Sequence, residues 1–250
     1  PLRTYLDALC QITVQCPVSE AEAPFALSTM DYYFRGTAHI RGGMGKLAHQ
    51  LCHAFETLGG SLNLSTRVKS IEQDAQGKWK VETSRGTIHS KAVIANLLPT
   101  ALPKILHGNP PLPKWATNLQ QDVESGWGAA MLYLVAESNE ESEAEHWQLV
   151  DDPTKPMQTG NHVFCSISGD AESEARGKAG HRTLTLSTHI PMKELLALSE
   201  NEQGDYIQVI QERMQSTFRE RCPQWADKIL LQFPASPRTF ERFTGRPQGF

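Results

Sequence analysis

The sequence predicts an α+β (α/β) fold: a β-meander after one strongly amphipathic helix, followed by an antiparallel sheet covered by helices. Three observations carry this prediction. Apolar residues recur at i, i+3, i+4 and i+7 from Met44 to Leu58, which draws one stripe along a helix. Runs such as RTLTLSTHI alternate Leu184 and Leu186 with Thr and Ser, the period of a half-buried strand. The chain has 250 residues, 39% apolar and 21% charged, enough for one large domain or two modest ones with a sizeable core.

Taken in order, residues 1–34 hold two apolar patches, YLDALCQITV and PFALSTMDYYF, parted by CPVSEAEAP, and read as two short helices. The helix from Met44 is expected to bury Met44, Leu47, Ala48, Leu51, Ala54, Phe55 and Leu58 and to stop at Gly59-Gly60 in a left-handed cap. SLNLST, RVKSIEQD and KWKVETS then read as a small antiparallel meander, the last two joined by the turn DAQG. The unbroken run Ala92-Val93-Ile94-Ala95 suits a strand buried on both faces of a sheet with a parallel component. Pro99, Pro103, Pro110, Pro111 and Pro113 mark a boundary or crossover.

Beyond it, GAAMLYLVA, HWQLV, HVFCSIS and RTLTLSTHI are four strands of an antiparallel sheet. MKELLALS and DYIQVIQERMQSTFRERC are helices, the second with Ile207, Ile210, Met214 and Phe218 on one face and Pro223 at its end. KILLQF returns as a strand, and SPRTFERFTGRPQGF, with Pro237, Gly245, Pro247 and Gly249, reads as a loop.

Charge and cysteine content narrow the function classes. Lys and Arg total 24 against 28 Asp and Glu, so no overall positive field exists to hold a nucleic-acid backbone. The acidic stretch Glu137 to Glu145 reads as a solvated loop between two strands. Five scattered cysteines without a C-x-x-C pair argue for reduced thiols in an intracellular setting, cytoplasmic or membrane-peripheral. No run of 18 apolar residues is present.

The glycine cluster Arg41-Gly42-Gly43-Met44-Gly45-Lys46-Leu47-Ala48 opens the helix where free N–H groups hold anions. As a Walker loop it fails, because Leu47 replaces Ser or Thr and Ile40 the first glycine. Gly43-x-Gly45-x-x-Ala48 satisfies a dinucleotide fingerprint, but GTAHIR before it is no buried strand and no acid closes the next strand. Arg67 occupies that place, which leaves a 2′-phosphate contact as a minor option. A structural role for the glycines, letting a loop pass close before an ordinary helix, is the simpler reading.

His49 and His53 share a helix face, yet Gln50 replaces the catalytic Glu of the zinc-protease pattern and no third ligand stands out, so no metal is expected. Cys165-Ser166-Ile167-Ser168-Gly169 lacks the first glycine of a nucleophile elbow. No catalytic constellation emerges. Tyr32, Tyr33, Phe34, Trp127, Tyr133 and the run Met131–Val135 are either plain core or the wall of a greasy ligand cavity, with Tyr33, Met131 and Tyr133 as the substrate candidates.

Three stretches taken together, GTAHIRGGMGKLAHQLCHAFETLGGSLNLSTRVKSI, AVIANLLP and CPQWADKILLQFPASPRTFERFTGRPQGF, resemble the FAD-dependent carotenoid desaturases and isomerases, the phytoene-desaturase-like branch of the amine-oxidase-type flavoproteins. The last stretch is the most specific, with Thr239-Phe240-Glu241-Arg242 and Thr244-Gly245-Arg246-Pro247.

The resemblance implies the middle of such an enzyme, without the Rossmann glycine motif that precedes this region in the family and without the C-terminal flavin segment. It implies residues 1–35 as a helical segment packing with the substrate domain, 36–98 as part of the FAD-binding domain, 99–243 as the substrate-binding domain and 244–250 as the return. It places Val68 at the adenine, with Arg67 beside it among the cofactor-binding candidates, Asn96 and Leu97 at a neighbouring cofactor wall, and Gly42 and Gly43 close to flavin or substrate. The implied partner is a hydrophobic polyene, desaturated or isomerised with FAD as cofactor, and the full-length enzyme is expected to touch a membrane surface peripherally. The fragment alone is expected to be inactive. The alternatives are a retinol-saturase-like or protoporphyrinogen-oxidase-like flavoenzyme and a non-catalytic carrier of hydrophobic ligands.

Overall fold

The computed structural model of the chain describes residues 2–36, 38–107, 114–138, 143–169, 172 and 179–249. The chain divides into two compact units, residues 1–49 with 126–250 and residues 50–125.

The first unit is built on a five-stranded antiparallel sheet. Its strands are β4 (Trp127–Glu137), β5 (Glu145–Val150), β6 (His162–Ile167), β7 (His181–Pro191) and β8 (Ile229–Ala235), in the order β5-β6-β7-β4-β8. The strands expected from alternation are all present, and the acidic run lies between β4 and β5, with residues 139–142 outside the described residues. Burial on β7 alternates at every residue, so Leu184, Leu186 and Ile190 face one side with Leu132 and Leu134 of β4 and Val163, Cys165 and Ile167 of β6.

Against that side packs α6 (Glu200–Arg221) through Ile207, Ile210, Met214 and Phe218, with Met192 and Leu195 of α5 (Met192–Leu196) and Trp225 of α7 (Pro223–Ala226) completing the core. Each such aliphatic or aromatic side chain withdrawn from water contributes about 1.5–3 kcal/mol. Helix α6 starts where Ser199 donates its backbone N–H to the Glu202 carboxylate at 2.9 Å, and it carries acids in its first turn and Arg219 and Arg221 in its last.

Two further helices precede the sheet, α1 (Leu2–Thr13) and α2 (Ala23–Arg35), as the sequence predicts. They are tied together by the Thr13 and Thr29 hydroxyls, 2.7 Å apart, and the connection is held by the Val18 N–H donated to Asp7 at 2.9 Å.

One expected loop is a helix. Pro237–Thr244 forms α8, with Ser236 preceding it and Gly245 closing it at φ 68°. The Pro and Gly that signal chain breaks here bound a helix instead, Pro at its first turn and Gly in the left-handed position after its last.

In the second unit the meander is present but shifted along the chain. It comprises β1 (Val68–Gln73), β2 (Trp79–Thr83) and β3 (Gly86–Ser90), antiparallel in that order. SLNLST is not a strand, and TIHS supplies the third one, because the tight turn at Ser84-Arg85 pairs β3 directly with β2. Nor is Ala92–Ala95 a strand, and Ile94 is 95% exposed. A strand buried on both faces needs neighbours on either side, and among the described residues none pairs with this run. The parallel element is a single bridge at Ile71 and Leu106, where Ile71 donates to Ile105 and accepts from His107. Pro99–Lys104 forms a 3₁₀ turn, and Pro110, Pro111 and Pro113 lie outside the described residues. Helix α4 (Lys114–Glu124) ends this unit.

The unit boundary falls within α3 (Gly43–Thr57). The helix ends as expected, with the Gly60 N–H donated to Phe55 and Gly59 at φ 87°. Its apolar stripe is not buried, however: Met44, Leu51 and Leu58 are 65%, 62% and 88% exposed, and Gly43 is the helix's buried residue. Periodicity specifies a face suited to burial and does not itself supply the covering surface.

Candidate functional site

The five-stranded sheet has a second face, turned away from α6, and strand alternation decides what lies on it. On β4 these are Trp127, Ala129, Met131, Tyr133 and Val135, the residues between the buried Ala130, Leu132, Leu134 and Ala136. On β8, Phe233 stands opposite Tyr133 and Leu231 opposite Val135. On β7, Thr185 and Ser187 pair with Tyr133 and Met131, and Ser187 pairs in turn with Phe164 of β6. The centre of the face is therefore apolar and aromatic, flanked by small hydroxyls.

Of the three substrate candidates, the structure brings Met131 and Tyr133 together, the Tyr133 hydroxyl lying 3.5 Å from the Met131 sulfur. Partial burial pushes the Tyr133 phenol above its ordinary pKa, so it stays neutral. The Tyr33 side chain lies outside the described residues, and Phe34 is 89% exposed at the end of α2.

Histidines border this apolar centre, and sequence reasoning missed them. His189 on β7 meets Trp127 edge-on at 5.9 Å, and burial holds its pKa below the ordinary value. His162 at the start of β6 is fully buried, bonded through Nε2 to Gln148 at 3.0 Å, with its pKa pushed down to about 4 by burial and by His189. At the far edge His146 of β5 stacks on Phe164 at 5.7 Å and meets His39, which in turn meets the buried Glu172. No local pattern marks these groups, since His39 is 107 residues from His146 and 133 from Glu172.

The first unit holds cavities on both faces of its sheet. One, about 450 Å³, opens between α1 and β5, lined by Tyr5, Ala8, Gln148, Val150 and Pro153 among others. The second, about 380 Å³, sits on the helical side between α5, α6 and α8, and is lined by Met192, Leu195, Ile207, Pro237, Arg238 and Glu241 among others.

The cofactor candidates fall in both units. Gly42 and Gly43, in the first, have φ of 86° and 79°, and the Gly43 N–H closes a turn onto the Ile40 carbonyl at 2.7 Å before α3 begins. A methyl group on Gly42 would stand 3.2 Å from Lys46, whereas one on Gly45 would meet nothing within 4 Å. Gly45 thus lacks the close packing that the dinucleotide fingerprint demands of a glycine, and residues 38–40 before it are not a strand. Residues 67, 68, 96 and 97 belong to the second unit. Arg67 accepts the Ser84 N–H at its carbonyl and donates its own N–H to the Ser84 hydroxyl, Val68 begins the edge strand β1 at 37% exposure, and Asn96 and Leu97 lie in the exposed segment before the 3₁₀ turn.

His49 and His53 are exposed on α3, and among the described residues no group of three or more His, Cys, Asp or Glu could hold a metal ion. Cys165 is buried within β6, with its thiol pushed up by burial, so it presents no nucleophile.

Compared with known proteins, residues 4–226 match the family model of flavin-containing amine oxidoreductases. An oxidoreductase from Methanosarcina mazei is similar in structure, with a TM-score of 0.64 at 16% identity over 94% of this chain and 52% of that one. A protoporphyrinogen-oxidase-type protein from Exiguobacterium sp. 255-15 gives a TM-score of 0.51 at 13% identity over 92% of this chain and 44% of that one. The chain thus spans about half the length of these structures. A search of curated protein sequences found no match. At such identities the likeness concerns the fold, which is mixed helix and antiparallel sheet in both the neighbours and this chain.

Proposed function

Because the chain belongs to the family of flavin-containing amine oxidoreductases, we propose that it is the middle part of an FAD-dependent oxidoreductase acting on a carotenoid-type polyene, by desaturation or isomerisation. The observation that carries this reading is the sheet face centred on Met131, Tyr133 and Phe233, an apolar and aromatic surface with no charged side chain among those three strand positions. A polyene offers no charge and few polar atoms, so a surface that recognises it has to be of this kind.

The residues present fit a flavin nucleotide in kind. Left-handed glycines at 42 and 43 let backbone approach a flat ring closely, and the exposed start of edge strand β1 at Val68 suits an adenine edge. In this proposal Arg67, Val68, Asn96 and Leu97 are the cofactor candidates of the second unit, and Gly42 and Gly43 those of the first. FAD, when bound, accepts the hydride removed from the substrate. The chain's own part is to hold the polyene against the sheet, exclude water from it and keep neighbouring groups neutral. Tyr133 and His189 are held neutral by their surroundings, so neither places a full charge beside an apolar guest.

Peripheral contact with a lipid surface belongs to the same proposal, with the exposed Leu27 and Phe34, which share one face of α2, as the surface that meets it. Among the described residues no helix is long and apolar enough to cross a membrane.

The test is to express the full-length gene in bacteria that accumulate a coloured carotenoid precursor and to separate the pigments by chromatography. The proposal expects a new pigment with a changed number or geometry of double bonds. Flavin-loaded protein with an unchanged pigment profile across several precursors would point to another substrate within the family. Protein that retains pigment but no flavin would point to a carrier.

A further inference from the structure

The cluster formed by His39, His146 and Glu172 has no part in the proposed chemistry, yet its geometry is specific. His39 Nδ1 lies 2.6 Å from Oε1 of Glu172, which is 2% exposed and also accepts the Gly169 N–H at 3.3 Å. His39 Nε2 lies 3.0 Å from His146 Nε2, with the rings 4.9 Å apart and inclined at 47°. The His146 ring is held in turn by its stack on Phe164.

These contacts fix where protons sit. A carboxylate only accepts, so the Nδ1 of His39 carries a hydrogen and donates it. Between the two Nε2 atoms one nitrogen donates and the other accepts, so a single proton joins them. With both rings neutral, His146 donates. One added proton, on either ring, still leaves one donor and one acceptor between the two Nε2 atoms, and the bond survives. A second added proton sets two N–H groups face to face at 3.0 Å, and the bond is lost.

The surroundings oppose that second proton. Burial and the adjacent His39 hold His146 below the ordinary imidazole range, against a smaller pull from Glu172. The adjacent charged group Glu145 lies on the opposite face of β5 by alternation and is bonded to Trp147.

We propose that the His39–His146 hydrogen bond is a proton-gated clasp that fixes the segment leading into the Gly42–Gly43 turn against the edge of the five-stranded sheet. The coupling is short. His39 precedes Ile40, whose carbonyl accepts the Gly43 N–H at 2.7 Å, and Gly43 is the first residue of α3. His39 and His146 are positioning residues: closed, the clasp sets the glycine turn relative to the sheet face that carries Met131 and Tyr133. Its value to flavin placement rests on the proposed function, whereas its existence does not.

The test uses the full-length protein with ¹⁵N-labelled histidine. A scalar coupling between the two Nε2 nitrogens is expected at neutral pH and at the ordinary imidazole value of about 6.5, and is lost only at lower pH, once both rings are protonated. Protection of the amides at residues 38–43, taken relative to their intrinsic base-catalysed rates at each pH, should fall about tenfold over the same range, with the protection of α6 amides unaffected. His146→Phe, which keeps a ring to stack on Phe164, should give the low protection at every pH, and His146→Gln, which can still donate to His39, should restore high protection at neutral pH. Absence of the coupling at all pH values, or protection at 38–43 equal in wild type and His146→Phe, would overturn the clasp. Neither readout requires flavin, so a colourless protein with an intact coupling would refute the flavin reading and leave the clasp standing.

Discussion

Tyr133 on β4 stands directly across from Phe233 on β8, and the two are 39% and 56% exposed on the sheet face turned away from α6. One residue to either side, Leu132 and Leu134 are 0% and 3% exposed against the helices. A single strand thus serves the core with one face and offers an apolar surface with the other, and substitutions on β4 should separate ligand binding from stability.

Phe233→Ser and Tyr133→Ser are expected to weaken retention of a polyene about tenfold each, or about 1.4 kcal/mol, from the loss of apolar contact area. Both should shift thermal unfolding little, since exposed positions away from the core tolerate change. Leu132→Ala should do the reverse, costing about 2–5 kcal/mol of stability through a cavity beneath α6. Pigment retention and denaturant unfolding measured on the same three variants check the division.

His162 predicts a pH dependence of stability. Its folded pKa is about 4 against an ordinary 6.5, because burial disfavours the charged ring. The unfolded chain therefore binds the proton first as pH falls. Stability is fully present above about 6.5 and declines toward pH 4, by roughly 3 kcal/mol from this group alone. His162→Gln should flatten that part of the profile of unfolding free energy against pH, and a profile equally steep in the variant would remove His162 as its cause.

The ends of α8 offer a local test. Gly245 has φ 68° with nothing within 4 Å of where a Cβ would stand, so Gly245→Ala should cost about 1 kcal/mol through backbone strain alone. Thr239→Ala removes the hydroxyl that accepts the Ser236 N–H at 3.1 Å at the other end and should cost about as much. Thermal unfolding of each variant and of the pair checks both, with additive losses expected because the ends are independent.

Elements whose partners lie within the chain were legible in the sequence. The alternation of Leu184 and Leu186 and the helical spacing of Ile207, Ile210, Met214 and Phe218 each announce one face, and these faces meet in one core. The stripe of α3 and the run at Ala92–Ala95 announce faces equally clearly, but Leu51 and Ile94 are exposed, because a pattern states a preference for burial without supplying the covering surface. Pro237 and Gly245 were read as breakers when they delimit a helix, a distinction that rests on Ser236 and on the residues between them. The histidine clasp left no local mark, since its groups are joined only by the way β5 and the segment before α3 come together.

The central claim is that this chain forms part of a flavin-dependent enzyme acting on an apolar polyene, and anaerobic absorption spectroscopy of the full-length protein tests it most directly. The account predicts a bound flavin, released as FAD on denaturation, and on adding a carotenoid-type substrate without oxygen either bleaching of the oxidised band, for a desaturation, or a changed double-bond geometry of the substrate, for an isomerisation. Protein that stays colourless after reconstitution with FAD would contradict it.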